Sequence, residues 1–92
     1  MFGGAAMIES TYLYKCNGFD PVYAICAENA ALEFARAKAQ QMFGSDARVV
    51  QINLQEFSAD GRIERYTANL CGRGECRLVW LCLTRVVRVA NR

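Results

Sequence analysis

The chain contains no histidine, and this absence removes the side chain that most often transfers protons in catalysis and binds metals. A Ser–His or Cys–His nucleophile pair therefore cannot form. A glycine-rich phosphate loop is also missing, since Gly3 and Gly4 are not followed by Lys and Ser or Thr. The acidic residues are scattered, with no spacing typical of a metal site. We therefore expect a non-enzymatic protein that needs no metal or other cofactor.

Proline is scarce as well, with Pro21 the only one among 92 residues, and 53% of the residues are hydrophobic. This composition argues against a disordered chain, and the length allows one domain with a small core. The most apolar stretch, residues 78–83, is too short to cross a bilayer, so no membrane contact is expected. The first residues lack the features of a signal peptide. We expect residues 1–6 to be a flexible leader and residues 7–92 to form the domain.

The five cysteines include no C-x-x-C pair, and their number is odd. Without histidine they fit neither a zinc site nor a closed disulfide framework. The sequence therefore predicts a cytoplasmic protein whose cysteines act as small apolar core residues. Cys71 and Cys76 flank a short turn and could face each other, but the expectation is that they do not form a disulfide.

Alternation and turn residues predict five strands. Residues 8–16 and 22–27 are expected to pair as a hairpin. Residues 48–58, 62–70 and 76–89 are expected to form a meander, which turns at Asp60-Gly61 and at Gly72-Arg73-Gly74. In the first strand of this meander, Val50, Ile52 and Leu54 are predicted to point to one face.

The alanine-rich residues 30–43 predict a helix that is capped by Asn29 and ended by Gly44. Its apolar stripe comprises Leu32, Ala35, Ala39, Met42 and Phe43, and its polar stripe comprises Asn29, Glu33, Arg36 and Gln40. The expected architecture is α+β: one small domain of order β-β-α-β-β-β, an antiparallel sheet with this amphipathic helix packed on one face.

The last strand is apolar on both faces, although one helix can cover only one face of the sheet. One side carries Leu78, Trp80 and Cys82, and the other carries Val79, Leu81 and Leu83. Two explanations compete. Either the rings of Tyr12, Tyr14 and Phe19, or the leader, shield the second face, or that face is a contact surface for another chain.

Charge is divided unevenly along the chain. Residues 1–61 carry four basic and seven acidic side chains, a net charge of −3, whereas residues 62–92 carry seven arginines and two glutamates, a net charge of +5. Arginine outnumbers lysine nine to two, and its guanidinium group suits carboxylates, phosphates and aromatic rings. The candidate partner-binding residues are arginines and aromatics: Arg36, Arg62, Arg65, Arg73, Arg77, Arg85, Arg88, Tyr12, Tyr14 and Trp80.

These residues suit two kinds of partner. Arginine and aromatic anchors are common where proteins bind proteins, and this class needs the least special chemistry. A nucleic acid is the alternative, with Arg73 at a hairpin tip reaching a phosphate and Tyr12, Tyr14 or Tyr66 stacking on bases. The isoelectric point of about 8.3 is lower than the value above roughly 9 that is typical of dedicated nucleic-acid binders. A homo-oligomer is also compatible with the sequence.

The layout of residues 12–66 resembles that of small phage and mobile-element proteins, in particular some anti-CRISPR inhibitors of type I effector complexes. The shared features are a short strand (Tyr12-Leu13-Tyr14-Lys15), a strand that ends in alanine before the helix, the alanine-rich helix and a closing meander that begins at Arg48-Val49-Val50. The resemblance implies a non-enzymatic inhibitor that docks on a Cas ribonucleoprotein and blocks access to target DNA. The basic C-terminal half also allows direct contact with guide RNA or with acidic patches of Cas subunits, and a phage-encoded inhibitor would act in the cytoplasm of its bacterial host. Because the chain is not strongly acidic, mimicry of duplex DNA is not implied.

Overall fold

The computed structural model describes residues 11–86 and shows one helix against a five-stranded antiparallel sheet. The strands are β1 (Tyr12–Cys16), β2 (Val22–Ala24), β3 (Arg48–Phe57), β4 (Ile63–Gly72) and β5 (Glu75–Arg85). Helix α1 (Ala27–Phe43) follows β2, and a short 3-10 turn (Gly44–Asp46) leads into β3. The expected α+β domain of order β-β-α-β-β-β is confirmed. The predicted leader, residues 8–10 of the first strand and residues 87–89 of the last lie outside the described residues.

The sheet order is β2-β1-β5-β4-β3, so the last strand lies at the centre. The predicted hairpin of β1 with β2 and the predicted meander of β3, β4 and β5 are both present. A further pairing, between β1 and β5, joins the hairpin to the meander and involves only residues 14–16 of β1. The helix covers one face of this sheet and leaves the other face uncovered by any helix of the described residues.

Helix α1 begins one turn before the predicted start. Its N-cap is Cys26, in extended conformation and without a side-chain cap bond, so the predicted cap at Asn29 was wrong. Ala27 is a strong helix former and Glu28 suits the positive end of the helix dipole, which explains why these residues extend the helix at the expense of β2. Gly44 ends the helix as predicted, with a φ of 72° that favours glycine.

The core lies between α1 and the sheet. The buried helix residues are Ala30, Ala31, Phe34, Ala35, Ala39 and Phe43. The predicted stripe is thus correct for Ala35, Ala39 and Phe43, whereas Leu32 and Met42 are only partly buried. The stripe is rotated because small alanines let the helix backbone approach the sheet closely. On the sheet side the core comprises Tyr14, Cys16, Tyr66, Ala68, Leu70, Leu81 and Leu83.

Strand β3 departs from simple alternation. Its register with β4 shifts between Val49 and Gln51 and again between Leu54 and Glu56. Each shift inserts one extra residue and reverses the side-chain alternation beyond it. Val50, predicted to share a face with Ile52, is therefore 55% exposed, and Val49 packs against the core in its place.

Cys71 and Cys76 form a disulfide, so the expectation that they remain unpaired was wrong. Arg73 and Gly74 both have positive φ, which makes a two-residue hairpin turn and places Cys71 directly opposite Cys76, with 4.0 Å between their Cα atoms. Cys16 is buried, but Cys26 and Cys82 are exposed. The prediction that the cysteines fill the core therefore holds only in part, and a disulfide weakens the argument for a reducing compartment.

Replacing Cys76 with serine is expected to lower the melting temperature by about 8–16 °C. A crosslink that closes so short a loop contributes about 2 kcal/mol in the chain-entropy model, and 1 kcal/mol is worth about 4–8 °C in a domain of this size. Thermal unfolding by circular dichroism measures the effect. A reductant should lower the melting temperature of the unmodified protein and leave that of the variant unchanged. Alkylation of all five cysteines in unfolded, unreduced protein, instead of three, would contradict the disulfide.

Candidate protein-binding face of the sheet

The sheet face away from α1 is the candidate site, and we call it the open face. Alternation in β5 directs Leu81 and Leu83 to the core, so Leu78, Trp80 and Cys82 point to the open face. The paired register adds Asn69, Thr67 and Arg65 of β4, which lie opposite those three residues in turn. Leu78 is 62% and Trp80 61% exposed. The open face thus presents two large apolar side chains side by side on β5.

The neighbours of Trp80 explain why its ring stays uncovered. Directly opposite on β4 is Thr67, a short side chain whose hydroxyl accepts a hydrogen bond from Gln55 Nε2 at 2.9 Å. Thr67 itself is buried. Gln55 therefore extends over β4 and satisfies the hydroxyl, while the indole has no large apolar partner across the strand. The result is an apolar centre on β5 with polar neighbours on β4 and β3, the arrangement typical of protein interfaces.

Charge on the open face lies beside this apolar centre. Arg65 is directly opposite Glu56 on β3, and its Nη1 donates a hydrogen bond to Glu56 Oε2. Both side chains are exposed, so the pair adds little stability. Arg65 is also the register partner of Cys82. The guanidinium group of Arg65 can therefore form polar contacts with a partner beside Trp80, which serves as the aromatic anchor.

The rings that were expected to shield this face lie elsewhere. Tyr14 is buried in the core on the helix side of the sheet, and Phe19 packs against Phe34 of α1 with 5.9 Å between ring centroids. Tyr12 is partly buried, with the Arg85 guanidinium 4.9 Å above its ring. Shielding by these three rings was therefore a wrong explanation, and a shield from the leader falls outside the described residues. Tyr14 is also unavailable as an exposed binding residue.

The structure does not bring the predicted arginines together. Arg36 is on the outer side of α1, 3.6 Å from Glu33 as expected, and Arg62 lies in the β3–β4 turn, 3.9 Å from Asp60. Arg73 follows the other end of β4, so the ten residues of that strand separate it from Arg62 by about 30 Å. Arg77 shares the helix side of β5 with Leu81 and is exposed, and Arg85 is partly buried. Of the set, Arg65 and Trp80 share the open face, and Arg88 lies outside the described residues.

Comparisons with known proteins add no identity to this geometry. No family model matches the chain, no curated protein matches it, and no solved structure matches it. Between residues 11 and 86 there is no cluster of three or more Cys, Asp or Glu side chains placed to hold a metal ion. Within the same range no helix is both long and apolar enough to cross a membrane.

Sequence reasoning missed Tyr23, which is 64% exposed and extends the open face. Tyr23 lies opposite Leu13 in the β1–β2 hairpin. Because Leu13 alternates with Tyr12 and Tyr14, which face the helix, Leu13 and Tyr23 point to the open face. Ile63, opposite Thr84, adds a further apolar side chain at the end of β4. A three-residue strand such as β2 is too short for alternation to show which way Tyr23 points. Leu78, by contrast, was visible in the two-sided apolar pattern of β5.

The remaining tyrosine, Tyr66, is buried and cannot stack on a base as the nucleic-acid alternative required. Its hydroxyl donates a hydrogen bond to Glu64 Oε1 at 2.6 Å. Burial, together with this bond to a carboxylate, raises the pKa of Tyr66 strongly. Burial also raises the pKa of Tyr14, an effect that the nearby Arg85 guanidinium opposes. These two tyrosines are therefore structural: both pack in the core between the sheet and α1.

Stability is expected to fall as the pH rises above about 10. An unfolded tyrosine loses its proton near pH 10, whereas Tyr14 and Tyr66 have raised pKa values in the folded state and keep theirs. The unfolded state then binds fewer protons, so alkaline pH favours unfolding. Denaturant unfolding at pH 8, 10 and 11 measures this. The Tyr66→Phe variant should lose less stability between pH 8 and pH 11, and an unchanged loss would contradict the assignment.

Proposed function

We propose that this chain is a non-enzymatic interaction protein that binds a protein or ribonucleoprotein partner through the open face. The observation that carries the proposal is the pair Leu78 and Trp80, which are both more than 60% exposed on the open face of β5. Large apolar side chains grouped on a surface mark a site of contact with another molecule. Tryptophan and arginine are the side chains most enriched among residues that dominate binding energy, and Arg65 lies within the same face.

The resemblance in layout suggests which partner to test first. It points to a type I Cas effector complex in a bacterial cytoplasm, with the chain acting as an inhibitor that blocks access to target DNA. The open face offers an apolar centre with few charges, so a groove between protein subunits suits it better than a phosphate backbone does. We therefore propose that the open face binds a protein subunit of such a complex, and that the bound chain then blocks the site where target DNA would enter.

The test is binding to a purified type I effector complex and its effect on target DNA. The chain should co-migrate with the complex in size-exclusion chromatography, and the complex so bound should no longer shift its target duplex in a native gel. Trp80→Ala should lose both effects. Failure of the unmodified chain to associate, with target binding intact at saturating concentration, would eliminate this partner.

The alternative, a free RNA- or DNA-binding module, receives less support from the geometry. Its arginines are spread over the helix, two turns and both faces of the sheet, and Arg36, Arg62 and Arg65 are each beside a carboxylate. Binding driven by phosphate contacts weakens steeply with salt. Affinity for a free single-stranded or duplex oligonucleotide that falls tenfold or more between 50 and 200 mM salt, and that survives Trp80→Ala, would replace the protein-binding proposal.

A further inference from the structure

Strand β5 has a free edge along most of its length. It pairs with β4 from Glu75 to Thr84, but with β1 only at Leu83, Thr84 and Arg85. The β1 strand ends at Cys16, opposite Leu83. On the β1 side, residues 75–82 therefore have no neighbouring strand in the part of the chain that the structure describes.

The pairing with β4 identifies which backbone groups point to this edge. The N–H of Arg85 donates to the carbonyl of Arg62, the residue just before β4. In an antiparallel pair, consecutive residues direct their backbone groups alternately to one side and the other. The odd-numbered residues of β5 thus bond to β4. The residues whose N–H and C=O groups point to the free edge are Cys76, Leu78, Trp80 and Cys82.

The other two sheet edges carry features that oppose pairing with another strand, and β5 does not. Strand β2 has only three residues. Strand β3 is interrupted by two register shifts. Short length and bulges both discourage edge-to-edge association. The β5 edge has an unbroken register with β4, and its four outward-directed residues are uncharged.

We propose that β5 pairs antiparallel with β5 of a second copy, which makes a symmetric dimer with one continuous ten-stranded sheet. A twofold axis makes such a contact self-complementary, because the free N–H groups of β5 in one copy meet the free C=O groups of β5 in the other. This proposal stands apart from the proposed function, since it uses the edge of β5 and not the face.

The two ends of the free edge determine the register. At one end Cys16 occupies the position beside Leu83, and at the other the Arg73-Gly74 turn ends the strand. Pairing Leu78 with Leu78 of the second copy brings Glu75 of that copy level with Leu81, short of Cys16. Cys76 then pairs with Trp80, and Arg77 lies opposite Val79. In this register the pairs Cys76–Trp80, Leu78–Leu78 and Trp80–Cys76 each form two backbone hydrogen bonds between the copies. No two side chains of like charge lie directly opposite each other.

The test compares two substitutions of one side chain. Leu78→Pro removes the outward N–H and the leucine side chain, whereas Leu78→Ala removes the side chain alone. Loss of the N–H in both copies breaks two hydrogen bonds, so Leu78→Pro should raise the dimer dissociation constant at least about 30-fold. Leu78→Ala should raise it no more than about fivefold, the range of cross-strand side-chain pairs. Sedimentation velocity over a concentration series gives both constants, and circular dichroism checks that each variant is folded.

Amide hydrogen exchange of the unmodified protein provides a measurement that does not depend on the proline variant folding. The amides of Cys76, Leu78 and Trp80 should exchange slowly at high concentration and faster on dilution. The amide of Val79, which bonds to β4, should stay protected throughout. A chain that is monomeric at all concentrations overturns the proposal. So does equal weakening by alanine and proline, or protection of Leu78 that does not change on dilution.

Discussion

Replacing Trp80 with alanine is expected to weaken partner binding at least about 30-fold while changing the stability of the fold by no more than about 0.5 kcal/mol. An aromatic anchor at the centre of an interface contributes 2 kcal/mol or more to binding, which corresponds to the stated factor. The effect on folding is small because the ring is 61% exposed and is absent from the core cluster. Titration of the effector complex by calorimetry gives the affinity, and thermal unfolding gives the stability.

Phe57 provides a matched control for this substitution. It is an exposed aromatic residue of similar exposure, 65%, and belongs to the same sheet. Its register partner is Glu64, on the opposite side of β4 from Arg65 and Thr67, so Phe57 does not share the open face. Phe57→Ala should leave partner binding unchanged. If both substitutions weaken binding equally, general loss of surface apolarity explains the result and the open face is not the specific site.

Prediction from the sequence succeeded where a feature depends on residues close together along the chain. The five strands, the single helix and its end at Gly44 follow from local alternation, alanine content and turn residues, and all are confirmed. The errors arose where distant residues decide. The two shifts in β3 depend on pairing with β4, and the rotated helix stripe depends on how closely alanines approach the sheet. Local alternation in β3 contains no information on that pairing.

The candidate site divides in the same way. The two-sided apolar pattern of β5 is local, and it correctly placed Leu78 and Trp80 on the face opposite Leu81 and Leu83. The tyrosines could not be assigned by pattern, because Tyr14 and Tyr66 have polar hydroxyls that suggest exposure, whereas both are buried beside Arg85 and Glu64. The disulfide was misjudged because the cysteine count describes the whole chain, whereas the hairpin turn decides that one pair meets.

Replacing Gly72 with alanine is expected to destabilise the fold by about 2–3 kcal/mol and to lower the melting temperature by roughly 10–20 °C. An added Cβ at Gly72 would lie 2.5 Å from Phe43 Cβ and 2.7 Å from its Cγ. Phe43 is buried at the end of α1, and its Cβ is fixed to the helix backbone, so a change of rotamer cannot relieve the contact. Either the helix end or the β4–β5 hairpin must shift. Thermal and denaturant unfolding measure the loss.

Gly74, in the same hairpin, separates this contact from backbone strain. Its φ of +79° is unfavourable for alanine, by roughly 1–2 kcal/mol, but an added Cβ there meets nothing within 4 Å. Gly72→Ala should therefore destabilise the protein more than Gly74→Ala. In a Phe43→Ala background, which removes the ring atoms but keeps the Cβ, the effect of Gly72→Ala should become smaller without disappearing. The reverse ranking of the two glycines, or an unchanged effect in that background, would show that contact with Phe43 is not what requires glycine at position 72.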